Sequence, residues 1–287
     1  MTYLSAFLLG LIQGVAEFLP ISSSGHLSLF QHFFGLETAE GSNLFFDVLL
    51  HLGTLIAVFI YYWEDIRDMV VEFFRLCMEL AGKGKKDRRP SAESISARRL
   101  ILLIIVATLP LVLILPIKSK IEALYDNTWF VGCALLVTGC ILFLSDRMAR
   151  GKKTERNATL KDVALVGLAQ AVATVPGISR SGSTIAAGMA LGFDRKFAVR
   201  FSFLMSIPAV LGANLLSLID AVQAGIDVAM LPVYIVGVCV AAMSGYLAIG
   251  VVKRLTDEGR FGKFAYYCWG VGALTLVLSL IFTLINR

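Results

Sequence analysis

No lysine or arginine occurs in the first 66 residues of this 287-residue chain. Charge is scarce elsewhere too: Asp, Glu, Lys and Arg make up only 16% of the sequence, well below the quarter or so usual for a soluble domain. The five cysteines, Cys77, Cys133, Cys140, Cys239 and Cys268, form no C-x-x-C pair. Without such a pair, and mostly within apolar runs, they read as small apolar residues rather than ligands or disulfide partners. The N-terminus lacks a basic region, and Glu17 and Pro20 stand where a cleavage site needs small residues, so the first twenty residues are not read as a secretory leader. The long apolar runs also lack the apolar/polar alternation of a transmembrane β-barrel.

What the chain has is hydrophobicity. Apolar residues make up 57% of it, and the mean hydropathy is +0.78. Runs at 100–117, 129–145, 230–252 and 264–285 reach or approach the roughly 20 residues that cross a bilayer core. The expected fold is all-α: one polytopic membrane domain over 1–287, with six full spans near 44–63, 100–117, 129–146, 201–219, 230–252 and 264–285. The net charge of +5 would by itself suggest nucleic acid, but the distribution of the basic residues argues for a membrane instead. Nine lie in 64–99, six in 147–161, three in 192–200 and four in 253–263, whereas 117–128 holds two and 218–231 none. The positive-inside rule puts all four rich segments in the cytoplasm. Residues 64–81 read as an amphipathic helix on the inner interface, and 82–99 as a solvated loop completing the cytoplasmic segment 64–99.

Two stretches are versions of each other. Gly10 to Gly25 reads GLIQGVAEFLPISSSG and Gly167 to Gly182 reads GLAQAVATVPGISRSG; residues 9–28 match 166–185 at nine of twenty positions. The charge pattern holds only if 160–192 enters the membrane from the cytoplasm and returns to it. By similarity, 3–35 is the matching hairpin, entering from outside. The chain is then an inverted repeat, about 1–146 and 147–287, with broken helices meeting near mid-membrane. Pro20, Gly25, Pro176, Gly177 and Gly182 mark the breaks, which must be buried in protein or line a wet cavity.

The copies differ where chemistry can live. Glu17 and Arg180 are ionisable residues at membrane depth, which marks them as functional candidates. The run 177–184 offers hydroxyls, N–H groups and one guanidinium at a helix start, a combination suited to phosphate oxygens. The run 21–26 builds a similar helix start from the other side. Ser23 and His26, three apart, share a helix face, and Glu17 ends the preceding helix. Either Ser23 or His26 can serve as nucleophile, with Glu17 to orient it or to hold a metal. Gln13, one turn before Glu17 and matched by Gln170, is either a helix contact or a site residue. His32 and His51 read as packed, hydrogen-bonded residues.

The segment Gln13 to His26 resembles the (E/Q)xxxE-FLPxSSxGH element of the BacA/UppP-type undecaprenyl-diphosphate phosphatases. Pro176 to Thr184 resembles the PGxSRSxxT motif of that family. The resemblance, which runs along essentially the whole chain, implies a multi-pass enzyme of the bacterial cytoplasmic (inner) membrane. Such an enzyme hydrolyses undecaprenyl diphosphate to undecaprenyl phosphate and inorganic phosphate, recycling the carrier for peptidoglycan synthesis, with bacitracin resistance as a consequence. It implies a site opening to the outer side and help from a divalent cation, Mg2+ or Ca2+, with Glu17 its candidate ligand. By motif, the catalytic residues are Glu17, Ser23, His26 and Arg180, and Gln13, Ser22, Ser179, Ser181 and Thr184 bind substrate. Gln13 stands where other members carry Glu, which leaves Glu17 the sole acid of its element. A lipid-phosphate flippase is the alternative, since inverted broken hairpins also build transporters. An intramembrane Ser/His protease would give Arg180 no task.

Overall fold

The computed structural model describes residues 1–34, 42–82, 91–148, 150–224 and 227–285. In chain order the helices are α1 (Tyr3–Phe18), α2 (Ser23–Phe34), α3 (Ser42–Tyr61), α4 (Trp63–Leu80), α5 (Ala92–Thr108) and α6 (Lys118–Glu122). They continue as α7 (Thr128–Ser145), α8 (Leu160–Val172), α9 (Arg180–Ala190), α10 (Arg195–Ala224), α11 (Leu231–Asp257) and α12 (Phe264–Ile285). Among the described residues the only β feature is an isolated Lys153–Phe193 bridge. The fold is an all-α polytopic membrane protein. Among the described residues five helical runs are long and apolar enough to cross a bilayer, or six if the bent α3–α4 pair is counted as one. No disulfide occurs among the described residues, and all five cysteines are free.

Both repeat copies form a helix–turn–helix unit, and local chemistry sets the boundaries. A capping box between Thr2 and Ser5 starts α1, and Thr159 with Asp162 does the same for α8. The 16 residues of α1 and 13 of α8 are each too short for a crossing of roughly 20. After α1 the chain turns through Ser22, whose φ of 73° is a left-handed conformation rarely taken by a residue with a side chain. After α8 it turns through Gly177, φ 87°, where glycine carries no such penalty. The Ser179 hydroxyl then caps α9 by accepting from the Gly182 N–H at 3.1 Å.

The spans differ in detail from the sequence expectation. The predicted loop 82–99 is helical from Ala92, capped by Ser91, because Ser94, Ala97 and Leu100 bury one face of the extra turns. Residues 83–90 of that loop, and residue 35 of the predicted first hairpin, lie outside the described residues. The span expected at 100–117 is α-helical only to Thr108; Leu109–Ile117 is a 3-10 segment with Pro110 at its start and Pro116 inside. Proline supplies no N–H and clashes with the preceding turn, so the α-ladder gives way there. The expected 44–63 span is α3, and the chain then bends by 88° into α4. The exposed Val70, Phe73, Phe74 and Met78 give α4 the apolar face of a helix lying along an interface.

Small residues let the hairpins sit deep. α1 packs on α11 where Gly10 and Gly14 face Gly237 and Ala241; a Cβ on Gly14 would stand 2.5 Å from the Ala241 carbonyl oxygen. The two turns touch as well, since a Cβ on Gly25 would lie 3.0 Å from the Gly177 Cα. The Thr138 hydroxyl pins the second turn, donating to the Gly177 carbonyl (2.9 Å) and accepting from the Ser179 N–H (3.1 Å). The four basic-rich segments gather at one end of the bundle. There Arg200 pairs with Asp65 at 2.5 Å, the Ser96 hydroxyl donates to Glu155 at 2.7 Å, and Arg195 donates to the Thr256 carbonyl at 3.2 Å.

Candidate active site

The C-terminal end of α1 and the N-terminal end of α9 face each other across the touching turns. Glu17, 8% exposed, is the centre of the contact. Its Oε1 accepts from the Arg180 guanidinium, its Oε2 from the Ser23 hydroxyl at 2.6 Å and from the Gln13 amide at 3.1 Å. The carboxylate thus joins residues from both repeat copies. An ion pair this deep is stabilised by hydrogen bonds to the remaining lone pairs, which Ser23 and Gln13 supply. The 2.6 Å contact is the short distance expected of a hydroxyl donating to a charged oxygen.

Glu17, Ser23 and Arg180 line a cavity of about 640 Å³. Ser22, Ser24, Thr174 and Ser179 also contribute to this polar floor. Leu111, Val112 and Leu115 of the 3-10 segment, with Ile121, Val210 and Leu216, give the walls an apolar character. A polar floor under apolar walls suits a ligand with a charged head and a hydrocarbon tail.

Not every expected residue reaches this cavity. Gln13, fully buried, acts through its bond to Glu17. The Ser181 hydroxyl lies 3.3 Å from both Ser179 Oγ and the Leu19 carbonyl, tying the two hairpins behind the cavity wall. Thr184, a turn further along α9, points to Ser202 of α10 at 2.6 Å and to the Arg180 carbonyl at 2.8 Å. His26 is also absent from the lining. Its Nδ1 is 2.8 Å from the Ser22 carbonyl, and its Nε2 is 2.9 Å from the Tyr267 hydroxyl on α12. Its ring stacks on Tyr267 at 5.6 Å. Ser23 and His26 therefore diverge because the carbonyl one turn back captures the imidazole.

Sequence reasoning missed other lining residues. Asp47 and His51, one turn apart on α3, both face the cavity, although His51 reads from sequence as a packing residue. His51 Nδ1 is 2.8 Å from the Asp47 carbonyl oxygen. Two ionisable groups four apart inside an apolar span were the available signal. Lys118, Glu122 and Tyr125 come from the segment after the 3-10 turn, and Asn214 and Ser217 from α10; only the tertiary arrangement brings them in. His32 is exposed and packs edge-on against Phe33 at 5.3 Å.

Among the described residues no group of three or more His, Cys, Asp or Glu could hold a metal ion, and both Glu17 oxygens accept hydrogen bonds.

Residues 6–274 match the family described as Bacitracin resistance protein BacA. The chain is similar to the undecaprenyl-diphosphatase of Methanosphaera stadtmanae, 40% identical over 97% of this chain and 98% of the relative. It is similar to that of Alkaliphilus metalliredigens at 40% identity, covering 98% and 100% of the two chains, and to that of Halothermothrix orenii at 41%, covering 96% and 97%.

Proposed function

The chain belongs to the bacitracin resistance protein BacA family, and from that membership we propose that it is an undecaprenyl-diphosphate phosphatase. It hydrolyses undecaprenyl diphosphate to undecaprenyl phosphate and inorganic phosphate in a bacterial cytoplasmic membrane, returning the lipid carrier to peptidoglycan synthesis. The observation that carries the reading is the chain Arg180–Glu17–Ser23 on the cavity floor. It puts an anion clamp, a base and a hydroxyl nucleophile within one connected contact. A flippase would need the clamp alone.

The chemistry follows from the geometry. The diphosphate enters head first, and the isoprenoid tail stays against the apolar walls and lipid. Arg180 exchanges part of its bond to Glu17 for the terminal phosphoryl oxygens. Its fixed charge and the N-terminal N–H groups of α9 then stabilise charge in the transition state, the main task in phosphoryl transfer. Ser23 Oγ attacks the terminal phosphorus as its proton passes to Glu17, already at hydrogen-bond distance. The bond to the bridging oxygen breaks, undecaprenyl phosphate leaves, and a phosphoserine remains. Glu17 releases its proton to solvent; water then attacks the phosphorus, its proton passing to the regenerated carboxylate and on to the departing Ser23 oxygen. His26, held by the Ser22 carbonyl and Tyr267, supports this turn from behind. A divalent cation arriving with the substrate would supply further neutralisation of charge on the phosphoryl group.

The site opens outward on this reading. The lining from Thr108 to Tyr125 and from Pro208 to Ser217 leads toward the end of the bundle poor in Lys and Arg, opposite the four basic segments.

Purified protein in detergent should release phosphate from undecaprenyl diphosphate. Acid quenching with mass spectrometry should locate the phosphoryl group on Ser23. Transfer of lipid across vesicles without phosphate release would overturn the enzyme assignment, and a phosphoryl group on His26 would overturn the nucleophile.

A further inference from the structure

Gln170 is the most anomalous polar residue on the cavity wall. It is 1% exposed and lines the same cavity as Ser23 and Arg180. Neither its amide nitrogen nor its amide oxygen has a hydrogen-bond partner among the described residues. A buried amide left unpaired at both ends is destabilising relative to an apolar residue of the same shape, so its presence calls for a ligand.

The repeat explains how the amide comes to be free. Gln13, its counterpart, donates to Glu17 one turn further on. In the second copy that next turn carries Thr174, whose hydroxyl is already used by the Ala171 carbonyl at 2.8 Å. With threonine where the first copy has a carboxylate, the Gln170 nitrogen lacks the partner that its counterpart has.

We propose that Gln170 positions the water that hydrolyses the phosphoserine. The proposal rests on the Ser23 reading above. An unpaired amide presents a donor and an acceptor side by side. A phosphoryl dianion has only acceptor oxygens and can satisfy the NH2 group alone. A water beside the phosphoryl group satisfies both ends, with its hydrogen to the amide oxygen and a phosphoryl oxygen to the NH2. Orientation of an attacking water by a glutamine amide recurs in phosphoryl transfer. The step is balanced: the water oxygen bonds to phosphorus, the bond from phosphorus to Ser23 Oγ breaks, the water proton goes through Glu17 to Ser23, and phosphate departs.

The test is rapid-quench kinetics in detergent with substrate labelled on the terminal phosphate, comparing the intact protein with Gln170→Met and Gln170→Ala. Met keeps the length of the side chain and removes only the unpaired atoms, so that variant should melt no lower than the parent. The expected result is an unchanged first-turnover rate of undecaprenyl phosphate formation, with labelled enzyme accumulating. Steady-state phosphate release should fall roughly 100-fold, the scale of a lost proton-transfer or water-orienting contribution. If both variants break down the phosphoenzyme as fast as the parent, or slow both half-reactions equally, the role of Gln170 is overturned and Ser23 stands. If no phosphoenzyme forms in any of the three proteins, the Ser23 reading falls and this role with it.

Discussion

Arg180, the first residue of α9, forms an ion pair with Glu17, the penultimate residue of α1, across 163 positions of sequence and between the two repeat copies. The pair closes the cavity floor and holds Glu17 against Ser23. Each charge is the main compensation for burial of the other, so the two residues are coupled in stability.

Arg180→Ala should therefore damage the protein twice. Activity should fall by at least 1,000-fold through loss of transition-state charge stabilisation. Stability should fall by about 3–5 kcal/mol, because a buried carboxylate loses its counter-charge. Adding Glu17→Gln should restore much of the stability and none of the activity. Thermal melts in detergent alongside phosphate release check both; additive stability losses in the double variant would refute the coupling.

Ser23 and His26 should separate by magnitude. Ser23→Ala should abolish phosphoenzyme formation and lower kcat by about 1,000-fold or more, as expected for a nucleophile. His26→Ala should slow turnover less, roughly 10- to 100-fold, because its work is to hold the Ser22 turn, and Tyr267→Phe should share that direction at a few-fold. Equal losses in Ser23→Ala and His26→Ala, with no phosphoserine in either the parent or His26→Ala, would point to the imidazole instead.

Close approach at the turns should make Gly177→Ala severe. The new methyl would lie 2.7 Å from the Ala134 Cβ and 2.8 Å from the Val131 carbonyl oxygen, on a backbone at φ 87°. Strain and overpacking together cost on the order of 2–4 kcal/mol. Gly270→Ala, where nothing stands within 4 Å of a new Cβ, is the matched control and should melt like the parent.

At the end of the bundle that carries the four basic-rich segments, Glu72 of α4 predicts a pH response. Burial alone would raise its pKa, but hydrogen bonds from Arg98, Ser94 and Arg75 and the Arg98 charge outweigh burial and hold it below the ordinary 4.5. A carboxyl depressed in the folded state adds stability above its unfolded pKa and loses it as pH falls through the folded value. Melting temperature should thus decline more steeply below about pH 4.5 for the parent than for Glu72→Gln. Parallel curves for the two proteins would show that Glu72 contributes no such linkage.

Much of the architecture was legible because its causes are local. Apolar runs near bilayer length gave the spans, and capping residues such as Thr159 and Ser179 gave helix starts. The mismatches between the repeat copies picked out Glu17, Ser23 and Arg180, which the fold brings into one contact. His26, Ser181 and Thr184 were harder to place, since each is held by a partner outside its own motif or across the hairpin: Tyr267, the Leu19 carbonyl and Ser202. Asp47 and His51 sit in an otherwise ordinary apolar span, and nothing local says that its polar face meets the cavity.

The sequence by itself determined the all-α membrane class, the side on which positive charge collects, and the two polar turns suited to phosphate. Those follow from hydropathy, from Lys and Arg counts and from helix-end chemistry, all readable within a few residues. Tertiary structure alone decided which hydroxyl meets the carboxylate, that the imidazole turns away from the cavity, and that Gln170 is left with an unpaired amide. These depend on how closely two hairpins approach across glycine contacts, a distance set by packing among helices far apart in the chain.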